Sequence, residues 1–177
     1  MIRLFAALAV PSDVGERLAR LQSGLRGARW RPAATLHVTL AFYGEVREDT
    51  ARDLDAALAV LAGGPVGVAL AGVGSFGETH DPHAVWAAVE ANPGLERLAA
   101  GCAAAARRTG LRLDSRAWRP HVTLAYLRRA GATGVAAWIQ ANIMFREPAF
   151  ALDRFGLYSS WRTEAGSMYR LEAEYLL

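Results

Sequence analysis

The word HVTLA stands at residues 37–41 and again at residues 121–125, and it takes up two of the four histidines in a chain of 177 residues. On a β-strand successive side chains point to opposite faces. His37 and Thr39 then share one face and Val38 and Leu40 the other; His121 and Thr123 are set in the same way against Val122 and Leu124. Each copy buries two aliphatic side chains and presents an imidazole and a hydroxyl. A pseudo-two-fold relating the copies would turn both polar faces toward one cleft. Such a set suits displacement at phosphorus. One imidazole takes a proton from the attacking water and the other gives a proton to the leaving oxygen, each across a hydrogen bond of about 3 Å. The hydroxyls of Thr39 and Thr123 donate to the non-bridging oxygens, where the negative charge sits. General acid and general base catalysis each supply roughly 10²–10⁴-fold, which suffices to open a strained cyclic phosphodiester without metal or other cofactor. One His-x-Thr alone is weak support. A duplication kept only for packing would explain the repeated Val, Leu and Ala, but not a histidine and a threonine on the opposite face.

The elements that must position these residues follow from apolar periodicity and breakers. Residues 2–10 read as a buried strand that Pro11 ends. Ser12 is a suitable N-cap for a helix over 13–26, with Val14, Leu18, Leu21 and Leu25 on one stripe. Trp30-Arg31-Pro32 reads as a connector. The first motif strand covers about 35–43, ended by Gly44, and a helix over 48–62 carries acidic residues in its first turn. Gly63-Gly64-Pro65 is a turn. VGVALAGVGSF and AVWAAVE form a hairpin with GETHDPH as a long polar loop at its tip. Asn92 or Pro93 opens a helix to 109, with Gly110 as its stop. The second motif strand covers about 118–127 and a short helix about 132–143. FALDRFGLYSS and SMYRLEAEYLL are two final strands around a turn at Thr163–Gly166. Strands and helices are mixed, and the strands pair partly as hairpins. The expected class is therefore α+β rather than a doubly wound parallel sheet: two pseudo-symmetric lobes whose antiparallel sheets face a central cleft, with helices outside. The expected organisation is one domain over 1–177, its related halves split near residue 91 and its termini free to cross between lobes.

Composition agrees with a globular chain. Hydrophobic residues make up 53% and the formal charge is +3, which permits nucleic-acid binding without requiring it. All twenty basic residues are arginine, a side chain whose planar fork suits phosphate. No run reaches the roughly 20 apolar residues of a membrane span, so no membrane partner is expected. The run LFAALAV near the N-terminus reads as a first strand rather than a signal peptide. The single cysteine, Cys102, rules out an internal disulfide and reads as a small buried side chain. A cytoplasmic monomer is the expectation.

The motif residues resemble a known family, the two-histidine (2H) phosphoesterases, in particular the bacterial RNA 2′,3′-cyclic phosphodiesterases, also called 2′-5′ RNA ligases. The resemblance runs over nearly the whole chain. RLFAALAVP resembles the family's first strand, RWRPAATLHVTLAFYGEV its first motif region, and GVGSFG with AVWAAVE its central hairpin. RPHVTLAY resembles its second motif and LYSSWRTEAGSMYRLEAEYLL its final hairpin. The resemblance implies hydrolysis of a 2′,3′-cyclic phosphate, on RNA ends or nucleotides, to the 2′-phosphomonoester, with no metal. It implies His37 as proton donor to the 3′-oxygen, His121 as proton acceptor from water, and Thr39 and Thr123 as substrate contacts. The near-symmetry of the sequence leaves the two histidine roles interchangeable. Many members carry an arginine directly after the second motif word, where this chain has Tyr126; Arg128, two residues on, is the candidate replacement. Joining or cleaving 2′-5′ linkages, or opening a nucleotide-derived cyclic metabolite, is the alternative within the class. A non-catalytic module that binds RNA ends is the alternative outside it.

Other residues invite a role. His80 and His83, with Asp81, could ligate metal, but two ligands in a loop do not close a site, and an exposed loop tip is expected. Phe42, Tyr126 and Phe76 could stack bases. Core packing is the expectation for any one of them, and Phe76 is the preferred stacking residue. Trp30, Trp86 and Trp118 read as core or lobe-edge residues. Arg31 and Arg119, each before a proline near a motif strand, are either phosphate contacts or solvated.

Overall fold

The computed structural model describes residues 1–61, 63–113, 117–163 and 166–177. Among these the chain runs β1 (Ile2–Ala9), α1 (Ser12–Ala19), β2 (Ala28–Trp30), a 3-10 turn (Ala33–Thr35), β3 (His37–Val46), α2 (Glu48–Ala59), β4 (Val66–Glu78) and β5 (Asp81–Val89). It continues through α3 (Pro93–Arg108), β6 (His121–Leu127), α4 (Ala132–Asn142), β7 (Arg146–Leu152), β8 (Arg154–Thr163) and β9 (Gly166–Leu176). The fold is α+β. No helix among the described residues is long and apolar enough to cross a membrane.

Local chemistry accounts for the principal elements. Leu4 to Leu8 are buried on both faces of β1, as suits a strand flanked on one side by β3 and on the other by β8. Glu48 and Asp49 occupy the first turn of α2, where the helix dipole favours negative charge. At the start of α3 the Asn92 side-chain oxygen accepts from the Leu95 N–H at 3.0 Å, with Pro93 next to it. α1 stops at Ala19, well short of residue 26. The chain turns instead, and Gly24 takes φ +72°, a conformation that a helix cannot contain. Leu25 is nevertheless buried, so the stripe was real although the helix was not continuous.

All strand pairings are antiparallel, and the order is β7-β4-β5-β6-β3-β1-β8-β9, with β2 also on β6. The order divides into two half-sheets, β7-β4-β5-β6 and β3-β1-β8-β9. Among the described residues they join only where Val38 of β3 faces Val122 of β6. A flat sheet would place β7 and β8 six strand spacings apart, about 29 Å. Only Asp153 lies between them, and the step from Leu152 to Arg154 reaches at most about 7 Å. The half-sheets must therefore fold toward each other about the β3–β6 junction. α3 packs behind that junction: the Tyr43 hydroxyl of β3 donates to the Cys102 carbonyl of α3 at 3.5 Å. Cys102 is fully buried, and burial pushes its thiol up to about 12. The Arg17 guanidinium of α1 holds the buried Glu147 carboxylate of β7 with 2.9 Å hydrogen bonds.

Three expectations need correction. FALDRFGLYSS is not one strand; Asp153 breaks it into the ends of β7 and β8, which belong to different half-sheets. GETHDPH is not a long loop. β4 continues to Glu78 and β5 begins at Asp81, with Glu78 opposite Asp81. Gly77 at φ +110° and a register shift after Phe76 make the tight closure possible. Trp30, read with Arg31 and Pro32 as a connector, ends β2 (Ala28–Trp30), which pairs with β6; three residues are too few to show a period. The expected ends of α2 at residue 62 and of the final turn at residues 164–165 lie outside the described residues.

Gly74 shows how tightly the β4–β5 hairpin is built. A Cβ there would lie 2.4 Å from Cη2 of Trp86 on the paired strand, and Trp86 in turn supports Phe76, ring centroids 5.2 Å apart. Gly74→Ala should cost about 1–3 kcal/mol by overpacking, read as a lower urea midpoint at unchanged slope.

Candidate active site

The site begins at the Val38–Val122 pair. In an antiparallel register the neighbours of a facing pair point to the opposite side. His37 is thereby carried toward Thr123, and Thr39 toward His121, all four on the face away from the two valines. Val38, Leu40, Val122 and Leu124 are buried, and the two histidines and two threonines are half-buried. The structure thus brings together the four residues that the repeated word singles out.

The two motif strands share a further device. In β3, Ala41 faces Ala6 and Thr39 faces Ala7, which leaves Leu40 as an extra residue. In β6, Ala125 faces Val85 and Thr123 faces Trp86, which leaves Leu124 extra. Each word therefore contains a β-bulge at its leucine. The bulge shifts the alternation by one, so both strands run half-buried, buried, half-buried, buried, buried, exposed from the histidine onward. This corrects the expectation of core packing for two aromatics. Phe42 is 60% exposed and Tyr126 is 42% exposed, returned to the histidine face by the bulges.

Both imidazoles are held in the same way. His37 Nδ1 lies 2.8 Å from the Thr35 carbonyl and His121 Nδ1 lies 2.7 Å from the Arg119 carbonyl. A carbonyl only accepts, so each Nδ1 carries the proton and each Nε2 keeps its lone pair for the cleft. Burial pushes His37 down to about 4, against the Thr35 carbonyl, which raises it; the charges of Arg31 and His121 lower it further. Burial likewise lowers His121, again against a carbonyl, that of Arg119. In the free protein both imidazoles are neutral at pH 7. The Thr39 backbone is itself anchored, its carbonyl accepting from the Trp118 indole at 3.0 Å.

The surroundings differ on the two sides. Next to His37 lies a cavity of about 120 Å³ lined by Phe5, Thr35, Leu36, Tyr158 and Tyr169 among others. Tyr169 meets the His37 ring edge-on at 5.2 Å, and Phe5 lies 5.1 Å from it. Next to His121 stands Phe76, edge-on at 4.7 Å, with Trp86 behind at 6.2 Å. Phe76, the preferred stacking residue, is therefore a wall of the site. Arg128 lies exposed beyond the end of β6, its backbone N–H donating to the Gly27 carbonyl at 2.9 Å. Arg119 is exposed. His80, Asp81 and His83 are exposed at the β4–β5 turn, and the described residues contain no group of three or more His, Cys, Asp or Glu placed to hold a metal. Phe5, Tyr158 and Tyr169 were not singled out from the sequence. Nothing local marks them, and only the pairing of β1 with β3 and β8, and of β9 with β8, brings them to His37.

Two antiparallel half-sheets, each lending one His-x-Thr to a common face, define a two-histidine phosphoesterase. Comparison with known proteins narrows the class. The family model described as LigT like Phosphoesterase matches residues 8–86 and 88–169, one motif word in each segment, and the chain belongs to that family. An RNA 2′,3′-cyclic phosphodiesterase of Archaeoglobus fulgidus is 29% identical over 131 residues, covering 72% of this chain and 74% of the relative. One of Geobacillus stearothermophilus is 32% identical over 127 residues, covering 68% of this chain and 40% of the relative, so the match spans less than half of that protein. Among solved structures, one from Thermus thermophilus superposes with a TM-score of 0.82 at 27% identity over 99% of this chain and 98% of the other. Escherichia coli LigT complexed with 3′-AMP gives 0.79 at 25% identity over 99% and 98%.

The held tautomers are directly measurable. Long-range ¹H–¹⁵N spectra at pH 7 should show both His37 and His121 neutral and protonated at Nδ1. Titration should find His37 near pH 4 and His121 below the ordinary 6.5. Because the folded value of His37 lies below its unfolded one, stability is fully present above about pH 6.5 and falls as the pH drops through 4.

Proposed function

We propose that this chain hydrolyses RNA or nucleoside 2′,3′-cyclic phosphates to 2′-phosphomonoesters by two-histidine acid–base catalysis. The observation that carries the reading is the pair of imidazoles on one face, each fixed through Nδ1 by a carbonyl two residues upstream, so that both Nε2 atoms are free. The names of the relatives support the cyclic phosphate as substrate. The LigT complex supports a nucleotide-sized ligand.

In this mechanism His121 Nε2 takes a proton from water as the water oxygen attacks phosphorus. The bond from phosphorus to the 3′-oxygen breaks, and His37 Nε2 delivers a proton to that oxygen. The products are a 2′-phosphate and a free 3′-hydroxyl. Thr39 and Thr123 donate to the non-bridging oxygens. Phe76 offers a ring to a base or ribose on the His121 side, and Arg128 gives a peripheral positive charge at the rim. His37 must be charged to act as acid, yet burial holds it near 4 in the free protein. The bound phosphodiester anion supplies the missing stabilisation, because a nearby negative charge favours imidazolium. Substrate binding thus charges the acid it needs. One domain over 1–177 carries both motif words, so a monomer suffices for the reaction.

The test is hydrolysis of a panel of nucleoside 2′,3′-cyclic phosphates in the presence of chelator. The 2′-phosphate should be the product; a 3′-phosphate, or activity abolished by chelator, would contradict the mechanism. His37→Ala and His121→Ala should each lower kcat by about 10²–10⁴-fold with thermal melting retained. The pH profiles should separate. The kcat/KM profile reports the free enzyme, where both imidazoles titrate below 6.5, so its bell should centre below pH 6.5. The kcat profile, which reports the substrate complex, should centre at higher pH. Coincident profiles centred above pH 7 would contradict charging of His37 by bound phosphate.

A further inference from the structure

Arg31 is placed in the cleft with more care than a solvated arginine needs. Its backbone is pinned to the second motif strand: its N–H donates to the Leu124 carbonyl at 2.8 Å, at the β6 bulge. The Gln22 amide clamps this junction, donating to the Arg31 carbonyl at 2.7 Å and to the Leu124 carbonyl at 3.3 Å. The half-buried side chain runs between two tyrosines, its guanidinium carbon 5.9 Å from the Tyr126 ring centroid and 5.1 Å from that of Tyr169. One terminal nitrogen donates to the Ser167 carbonyl at 3.0 Å. Among the described residues no carboxylate pairs with it. Tyr169 is the same residue whose ring meets His37 edge-on, and the charge of Arg31 is felt at His37. A cation has thus been fixed beside the catalytic imidazole with no carboxylate among the described residues to compensate its charge.

We propose that Arg31 binds the non-bridging phosphoryl oxygens of the substrate, held in place by the Tyr126 and Tyr169 rings and the Ser167 carbonyl. This rests on the hydrolase reading for its substrate, and on the geometry alone for an anion in the cleft. A guanidinium offers several N–H donors in one plane, so that one can hold Ser167 while others meet phosphate. Tyr126, returned to the cleft by the Leu124 bulge, is the orienting wall. The phosphate cation of the cleft therefore comes from the connector before the first motif, although its backbone is pinned to the second.

Arg31→Gln should lower kcat/KM for adenosine 2′,3′-cyclic phosphate by about 10²-fold, the scale of losing one oxyanion donor, with thermal melting retained. It should also weaken binding of inorganic phosphate, followed by amide shifts of Thr39 and Thr123, at least tenfold. Arg31→Lys, with charge but no fork, should fall between. Arg31→Gln combined with Tyr126→Arg should recover at least tenfold in kcat/KM, because an arginine on that strand can reach the same space. A purely structural Arg31 would not be rescued there. Arg31→Gln within threefold of the parent in both measurements would overturn the proposal. If the parent opens no cyclic phosphate, the hydrolase reading fails while the phosphate titration still decides the role of Arg31. If Arg31→Gln does not fold, Arg31→Lys decides: weaker phosphate binding supports the role, and unchanged binding overturns it.

Discussion

A single cross-strand pair, Val38 against Val122, governs how the two histidine–threonine faces are arranged in this molecule. Among the described residues it is the only register point between the two half-sheets, so it sets where the two motif strands meet. Away from it the strands part: β3 continues with β1, while β6 turns its edge to β2. A longer ladder would have closed the space between them. A shorter one would have left the histidines without a common reference. The apolar half of each word is therefore as necessary as the polar half. Val and Leu fix the strand against the core, and His and Thr take their direction from that placement.

The polar half sits against aromatic rings on a half-buried face. Each imidazole sits against aromatic rings and spends its Nδ1 proton on a backbone carbonyl. Burial makes both imidazoles reluctant to charge, His37 most of all. At such a partly buried site a bound anion acts on the imidazoles more strongly than it would in bulk water. Arg31 works against protonation of His37 and in favour of binding phosphate. In the proposed mechanism the balance between arginine and substrate charge decides when His37 is charged. The near-symmetric word hides this asymmetry: the His37 side has a cavity and a tyrosine-bracketed cation, whereas the His121 side has Phe76 and Trp86.

The repeated word could be read directly because it follows the strand period, so the four central residues and the α+β class were legible. Three features were not. The bulges at Leu40 and Leu124 depend on partner strands with one residue fewer, which the words themselves do not show; hence Phe42 and Tyr126 were expected inside. The change of half-sheet at Asp153 falls at a polar pair, Asp153-Arg154, that shifts the apolar alternation by one residue, which a bulge within one strand would do equally. Arg31 and Tyr169 come together only through the placement of β2 on β6 and of β9 on β8, contacts that span most of the chain. Arg31 drew notice beside Pro32, yet no local signal distinguished a phosphate ligand from a solvated side chain. Local chemistry was readable wherever the period was intact, and unreadable wherever long-range pairing altered it.

The central claim is that both imidazoles address one phosphorus. A crystal structure with a nucleoside 2′-monophosphate tests it most directly. The phosphoryl group should lie between the two motif strands, with Nε2 of His37 and Nε2 of His121 each within about 3 Å of a different phosphoryl or ribose oxygen. A phosphoryl group held by one imidazole alone, with the other Nε2 turned away from it, would contradict the account.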